Sequence, residues 1–216
     1  MRVSLLVPAA GRGERLGLGV PKALVRVRGR TLLEWALRRF PGVDEVLVAL
    51  PPGIEAPSGL GARFLEGGRT RQESVHRLLQ EATGELVLVH DAARPFVVPE
   101  AVERVLAAAR RTGAAVPAIP VPDTLVEGEA AYGRVLDRAR LRLVQTPQGF
   151  SRTLLLAAHR AARTEGRVAT DDAQLVRALG RPVALVPGDR RMFKVTYPED
   201  LALLAALLQA EADERA

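Results

Sequence analysis

Near-continuous apolar runs alternate along this chain with capped amphipathic segments, and that alternation restricts the fold more than any other feature. VSLLVPAA (3–10), DEVLVALPP (44–52) and ELVLVHDAARP (85–95) are short and rich in Val and Leu, as expected of strands covered on both faces. Between them, TLLEWALRRF (31–40) and TRQESVHRLLQEA (70–82) each open on a Thr with Glu three residues later, the capping-box signature of a helix start. PEAVERVLAAARRTG (99–113) has Pro in its first turn and Gly at its end, the asymmetry of a helix. Two further helices are expected at 151–166 and 170–180, capped by Ser151 and Thr170, then a strand at 182–188 and a terminal helix from Pro198. The predicted architecture is α/β, a doubly wound, mostly parallel sheet with helices on both faces. From AAVPAIPVPD (114–123) to Pro147 the pattern changes: three prolines stand near its start, and the glycine-punctuated VEGEAAYGRVLDR has the look of a hairpin. We read residues from about 121 to 143 as a protruding β-arm on a single domain spanning 1–216.

The chain has 216 residues, 48% of them hydrophobic, enough for one substantial core. Cysteine is absent, which excludes disulfides, thiolate metal sites and a thiol nucleophile. No apolar run approaches the roughly 20 residues of a membrane span, and the first residues lack a signal-peptide pattern, so a soluble, cytoplasmic protein without a membrane partner is expected. The net charge of +6 comes from 29 arginines and two lysines, with 4% aromatic residues and no basic run interleaved with aromatics. That distribution disfavours a nucleic-acid platform and suits a phosphorylated small substrate. In so Arg-rich a chain, Lys22 and Lys194 stand where a compact point charge serves better than a planar fork.

In open α/β sheets, ligands collect beyond the carboxyl ends of the strands, where backbone amides and helix N-termini point. The first such end is VPAAGRGERLGLGVPKAL (7–24), where Gly11, Gly13, Gly17 and Gly19 allow close backbone approach and Arg12, Arg15 and Lys22 supply charge. This suits a polyphosphate, although the GK[ST] of a P-loop and the dinucleotide glycine spacing are both missing. LEGGRTRQES (65–74) places Gly67 and Gly68 before a capped helix, with Arg69, Arg71 and Ser74 nearby. VHDAARP (89–95) ends a strand on Asp91, flanked by His90 and Arg94; Asp91 could contact a magnesium ion or a substrate hydroxyl, and His90 reads at least as well as a satisfied core histidine. The arm adds Asp123, Thr124 and Arg138, and later loops offer Thr146, Thr170 and Lys194.

Taken in order, PAAGRGERLGLGVPKAL, GGRTRQESV, HDAARP, PDT, LDRARLRLVQTPQGF, ATDDAQ and FKVTYPEDL resemble the 2-C-methyl-D-erythritol 4-phosphate cytidylyltransferases of the non-mevalonate isoprenoid pathway. The likeness covers nearly the whole chain. It implies a Rossmann-like nucleotidyltransferase that joins CTP to methylerythritol 4-phosphate, releases pyrophosphate and requires magnesium. It implies that Arg15 and Lys22 stabilise the transition state, that Lys194 and Arg138 position the incoming phosphate, and that Ala9, Ala10, Gly11, Gly13, Gly68, Arg71 and Ser74 surround the nucleotide. Asp91, Arg94, Thr124, Thr146 and Thr170 are implied to hold the second substrate, and the arm to cross to a neighbouring subunit of a homodimer. No metal ligand is certain beyond the candidate Asp91. The alternative within the class is a cytidylyltransferase for another alcohol phosphate, such as ribitol 5-phosphate. A dinucleotide-dependent oxidoreductase fits poorly, because it leaves the cationic residues unexplained.

Overall fold

In the computed structural model, the described residues are 1–11, 16–17 and 19–214. Strand β1 (Val3–Pro8) is followed by a 3-10 turn at Lys22–Leu24, a small hairpin of β2 (Arg26–Val27) and β3 (Arg30–Thr31), and helix α1 (Leu32–Leu37). Strands β4 (Glu45–Leu50) and β5 (Arg63–Glu66) precede α2 (Arg71–Glu81), and β6 (Leu86–Val89) precedes α3 (Pro99–Thr112) and β7 (Ala114–Pro120). A hairpin of β8 (Leu125–Val126) and β9 (Val135–Leu136) comes next. It leads to β10 (Arg142–Val144), β11 (Gln148–Ser151), α4 (Arg152–Thr164), α5 (Asp172–Ala178), β12 (Ala184–Pro187) and α6 (Glu199–Glu214).

The main sheet runs β5-β4-β1-β6-β11-β7, with β10 and β12 also paired to β7. Strands β5, β4, β1 and β6 are mutually parallel, β12 is parallel to β7, and β11 is antiparallel to both β6 and β7. The sheet is thus mostly parallel, as expected, with β11 reversed inside it and β10 antiparallel to β7. Successive strand side chains point to opposite faces. Val3, Leu5, Val7, Leu86 and Leu88 therefore pack with Leu33 of α1 and Val102 and Val105 of α3. Leu6, Val87 and Val89 pack on the other face with Leu78 of α2, Leu155 of α4 and Leu175 of α5. Two apolar faces explain why these strands read as unbroken apolar runs. A third cluster joins Leu204 and Leu208 of α6 to Leu32, Phe96, Met192 and Val195, so the loop carrying Lys194 is pinned by buried residues on either side.

Cap chemistry departs from expectation in instructive ways. The box at α1 is complete: Thr31 accepts from Glu34 N–H at 3.1 Å and Glu34 accepts from Thr31 N–H at 2.5 Å. At α2, Thr70 accepts from Glu73 N–H at 3.0 Å, but the Glu73 carboxylate turns to Arg69 N–H at 3.0 Å, leaving half a box. Helix α5 is capped by Asp171, which accepts from Gln174 N–H at 3.0 Å, and not by Thr170. A carboxylate one residue closer reaches that amide with the better charge. Ser151 sits at the cap position of α4 without a side-chain cap bond, because it is still the last residue of β11. Helix α3 ends as expected, on Gly113 at φ 83°. The edge strand RFLE of β5 and the β2–β3 hairpin were not anticipated, since charged residues break their apolar signal. Among the described residues, no helix is long and apolar enough to cross a membrane.

Candidate active site

The parallel strands deliver their following loops to one rim. His90 N–H donates to Leu6 O at 2.9 Å, Ala9 N–H to Ala49 O at 2.8 Å and Gly67 N–H to Leu50 O at 2.7 Å, so the turns after β1, β5 and β6 lie at the same edge. A methyl group on Gly67 would stand 2.3 Å from the Ala10 Cβ; only glycine lets these two turns close on each other. Gly68 N–H donates to Ser74 Oγ at 3.0 Å, and Ser74 donates to Thr70 O at 2.9 Å, which shapes the glycine turn from the first turns of α2. Ala23, next to Lys22, shares a core cluster with Ala9 and Ala92, which seats the Lys22 turn in the same core as the turns bearing Ala10 and Asp91. Gly11 is exposed. Arg12, Gly13 and Arg15 of this loop lie outside the described residues.

Asp91 stands at the centre of a charged cluster. Its Oδ1 accepts from Arg71 Nε at 3.0 Å and its Oδ2 from Lys194 Nζ at 2.8 Å. Burial alone would raise its pKa, yet Arg71 and Lys194 outweigh burial and hold the carboxyl well below the usual carboxylate range. Arg71 reaches further, donating through Nη1 to Asp172 Oδ2 at 2.7 Å. Burial opposes the Arg71 charge, but the two carboxylates raise its pKa overall.

His90 is a structural member of the site. Its Nε2 meets Arg94 O at 3.0 Å and its Nδ1 meets Thr146 Oγ1 at 3.0 Å, while Thr146 Oγ1 accepts from Asp91 N–H at 3.1 Å. Only one assignment satisfies the chain: Nε2 carries the proton and donates to the carbonyl, and the Thr146 hydroxyl donates to Nδ1. The ring is fully buried, and burial pushes its pKa down to about 4 from 6.5. The folded chain therefore resists a proton that the unfolded chain accepts. This group's stabilising contribution is complete above about pH 6.5 and is lost as pH falls through about 4. We expect urea unfolding to show a loss of about 3 kcal/mol from this group between about pH 7 and 4, with His90→Gln flattening the slope.

The structure brings Arg71, Asp91, Arg94, Thr146 and Lys194 together. Arg94 faces inward, donating through Nη1 to Met192 O at 2.7 Å and through Nη2 to Val144 O at 3.4 Å. It thus braces the Lys194 loop against the strand that returns from the arm. Thr170 is exposed, its oxygen accepting from Gln174 Nε2 at 2.6 Å. Thr124 and Arg138 are exposed on the arm. Arg138 donates to Pro122 O, and among the described residues no hydrogen bond or ion pair joins either one to the Asp91 cluster. Sequence reading missed Asp172, His159 and Gln145. Gln145 Nε2 donates to Asp189 O at 2.8 Å and its Oε1 accepts from Asp189 N–H at 3.1 Å, locking the Lys194 loop to the main sheet.

A protein-held magnesium ion does not fit these residues. Both Asp91 oxygens are engaged by cations, and among the described residues no three His, Cys, Asp or Glu side chains gather as a metal site. A groove of about 640 Å³ opens elsewhere, between α1 and α6, lined by Trp35, Arg39, Phe40 and Leu208. None of its lining residues belongs to the Asp91 cluster.

A mostly parallel sheet whose carboxyl rim carries glycine turns and a cation-bound carboxylate is the scaffold of α/β nucleotidyltransferases. Residues 3–210 match the family model described as 2-C-methyl-D-erythritol 4-phosphate cytidylyltransferase. A protein of that name from Thermus thermophilus is 64% identical over 209 residues, covering 96% of this chain and 97% of the relative. One from Deinococcus radiodurans is 55% identical, covering 95% and 89%. A crystal structure of the Thermus thermophilus enzyme superposes with a TM-score of 0.90 at 61% identity, covering 97% of this chain and all of that one. The chain belongs to the 2-C-methyl-D-erythritol 4-phosphate cytidylyltransferase family.

Proposed function

We propose that the protein transfers CMP from CTP to 2-C-methyl-D-erythritol 4-phosphate, giving 4-diphosphocytidyl-2-C-methyl-D-erythritol and pyrophosphate. The observation that carries this reading is Asp91 held between Arg71 and Lys194 at the rim of the sheet, in a chain of this family. A phosphate oxygen of the acceptor attacks the α-phosphorus of CTP, and the bond from that phosphorus to the pyrophosphate oxygen breaks. Negative charge then spreads over a crowded five-coordinate centre, which fixed cations stabilise more than they stabilise the ground state. Lys22 and Arg15 serve there. Lys194 and Arg138 bring the second anion up to the first, and Asp91, with Thr124, Thr146 and Thr170, holds the acceptor. The nucleotide sits against Ala9, Ala10, Gly11, Gly13, Gly68, Arg71 and Ser74. A phosphate monoester, with its second pKa near about 6, is already largely ionised at neutral pH, so the reaction needs no strong general base. Magnesium would come with the triphosphate substrate, where it would neutralise part of the phosphate charge. The work is cytoplasmic, on small molecules, without nucleic acid or membrane.

Family membership favours methylerythritol 4-phosphate over ribitol 5-phosphate as the acceptor. Pyrophosphate release from CTP should appear with the first and not with the second, and the opposite preference would overturn the assignment.

The same reading includes a homodimer in which the arm supplies Thr124 and Arg138 to the neighbouring site. Among the described residues the arm's β8–β9 hairpin forms its own two-stranded sheet, and it leaves Tyr132 76% and Val135 55% exposed. Mixing Lys22→Ala and Arg138→Ala subunits is expected to restore about a quarter of wild-type activity, because half the dimers are hybrids with one intact site. If both residues act within one subunit, mixing restores nothing.

A further inference from the structure

Asp172 is a buried carboxylate that neither the fold nor the reaction described so far requires. It is the first residue of α5, but Asp171 caps that helix. Its side chain is 1% exposed, and burying a carboxylate costs several kcal/mol unless partners compensate. The partners are specific. Oδ2 accepts from Arg71 Nη1 at 2.7 Å, and Oδ1 accepts from His159 Nε2 at 2.9 Å. The His159 ring is itself held by stacking on His76, with centroids 5.7 Å apart. The start of α5 is tied to β11 by Gln148, which donates to Asp171 Oδ2 at 3.0 Å and accepts from Ala173 N–H at 3.2 Å. One guanidinium therefore spans two carboxylates on separate elements, Asp91 through Nε and Asp172 through Nη1.

We propose that Asp172 is a positioning residue of the transfer reaction: by holding Arg71 Nη1 it fixes the plane and reach of that guanidinium so that Nε meets Asp91, and so keeps Asp91 aimed at the acceptor. This rests on the function proposed above. An Arg–carboxylate pair left to itself prefers the two-pronged fork, which is both the stronger and the more closed arrangement. A fork on Asp91 would use Nε and Nη2, the two donors of one edge; Lys194 already holds Asp91 Oδ2, and Asp172 anchors the guanidinium from Nη1 on its other side, so Asp91 keeps a single bond from Nε. Arg71 Nη2 has no protein partner among the described residues, so this edge of the guanidinium stays available to substrate. His159 supplies the proton that satisfies the second oxygen of Asp172, leaving only Oδ2 for Arg71.

Asp172→Asn keeps the size but presents an amide N–H to one of two donors, His159 or Arg71. We expect the KM for methylerythritol 4-phosphate to rise about tenfold and kcat to fall about tenfold, with a smaller change in the KM for CTP. Because Asp172 acts through Arg71, the double variant Arg71→Gln with Asp172→Asn should be no worse than Arg71→Gln alone. His159→Gln, which keeps an N–H donor, should stay near wild type, while His159→Leu should follow Asp172→Asn. Kinetics are read well below each variant's melting temperature, so loss of fold is not mistaken for loss of positioning. Wild-type kinetic constants in Asp172→Asn, or losses that multiply in the double variant, would overturn the proposal. Wild-type protein runs in parallel, and if it fails to release pyrophosphate the proposed function is what fails. The positioning claim is then decided by the Arg71 Nε–H resonance. Its exchange protection should drop at least about tenfold in Asp172→Asn, and unchanged protection would refute it.

Discussion

Lys22→Ala is expected to lower kcat by about 10²–10³-fold while changing the dissociation constant for CTP by less than about fivefold. Lys22 opens a 3-10 turn whose next residue, Ala23, is packed in the core, so its main chain is placed by the fold and not by the nucleotide. A charge held in advance near the α-phosphorus gains most when negative charge builds there, and the gain appears in turnover more than in ground-state binding. Pre-steady-state kinetics with equilibrium CTP binding measure the two effects separately. Weakened binding with unchanged turnover would move Lys22 to a ground-state role.

Asp91→Ala is expected to lower kcat/KM by about 10³-fold or more, the larger part through the acceptor. The substitution removes the anion between Arg71 and Lys194, and the two cations respond differently. Lys194 is 41% exposed and turns to solvent at little cost to the fold. Arg71 is more enclosed, at 27% exposed, and keeps its ion pair with Asp172. Stability should fall by about 3 kcal/mol at most, measured by urea unfolding, so a folded but nearly inactive protein is the predicted outcome. The depressed Asp91 pKa fixes the sign of its pH effect. Its stabilising contribution is present above the ordinary carboxylate value and disappears only as pH falls below that range. Through the mildly acidic range Asp91 stays ionised, and any loss of stability there belongs to groups such as His90.

Much of the sheet was legible because β1, β4 and β6 are apolar on both faces, a property visible residue by residue. β5 was not, since an edge strand of four residues with Arg63 and Glu66 at its ends carries no comparable signal. The prolines of 114–123 disguised β7, which accommodates Pro117 and Pro120 within its span. The residues of the Asp91 cluster that follow strand ends were legible, because the end of a parallel strand is where side chains meet ligand. Asp172 and His159 were not. In sequence they look like a helix-start acid and a helix-face histidine, and only the fold shows that Arg71 comes from another helix to meet them. Gln145 escaped for a related reason, since its partners are backbone groups of the loop at Asp189.

A crystal structure with CTP bound would test most directly whether the carboxyl rim of the sheet is where the nucleotide reacts. The account predicts the cytidine between the Ala9–Gly11 and Gly67–Ser74 turns, with the α-phosphate beside Lys22 and open toward Lys194 and Asp91. Nucleotide seated instead in the Trp35 groove between α1 and α6, with that rim empty, would contradict it.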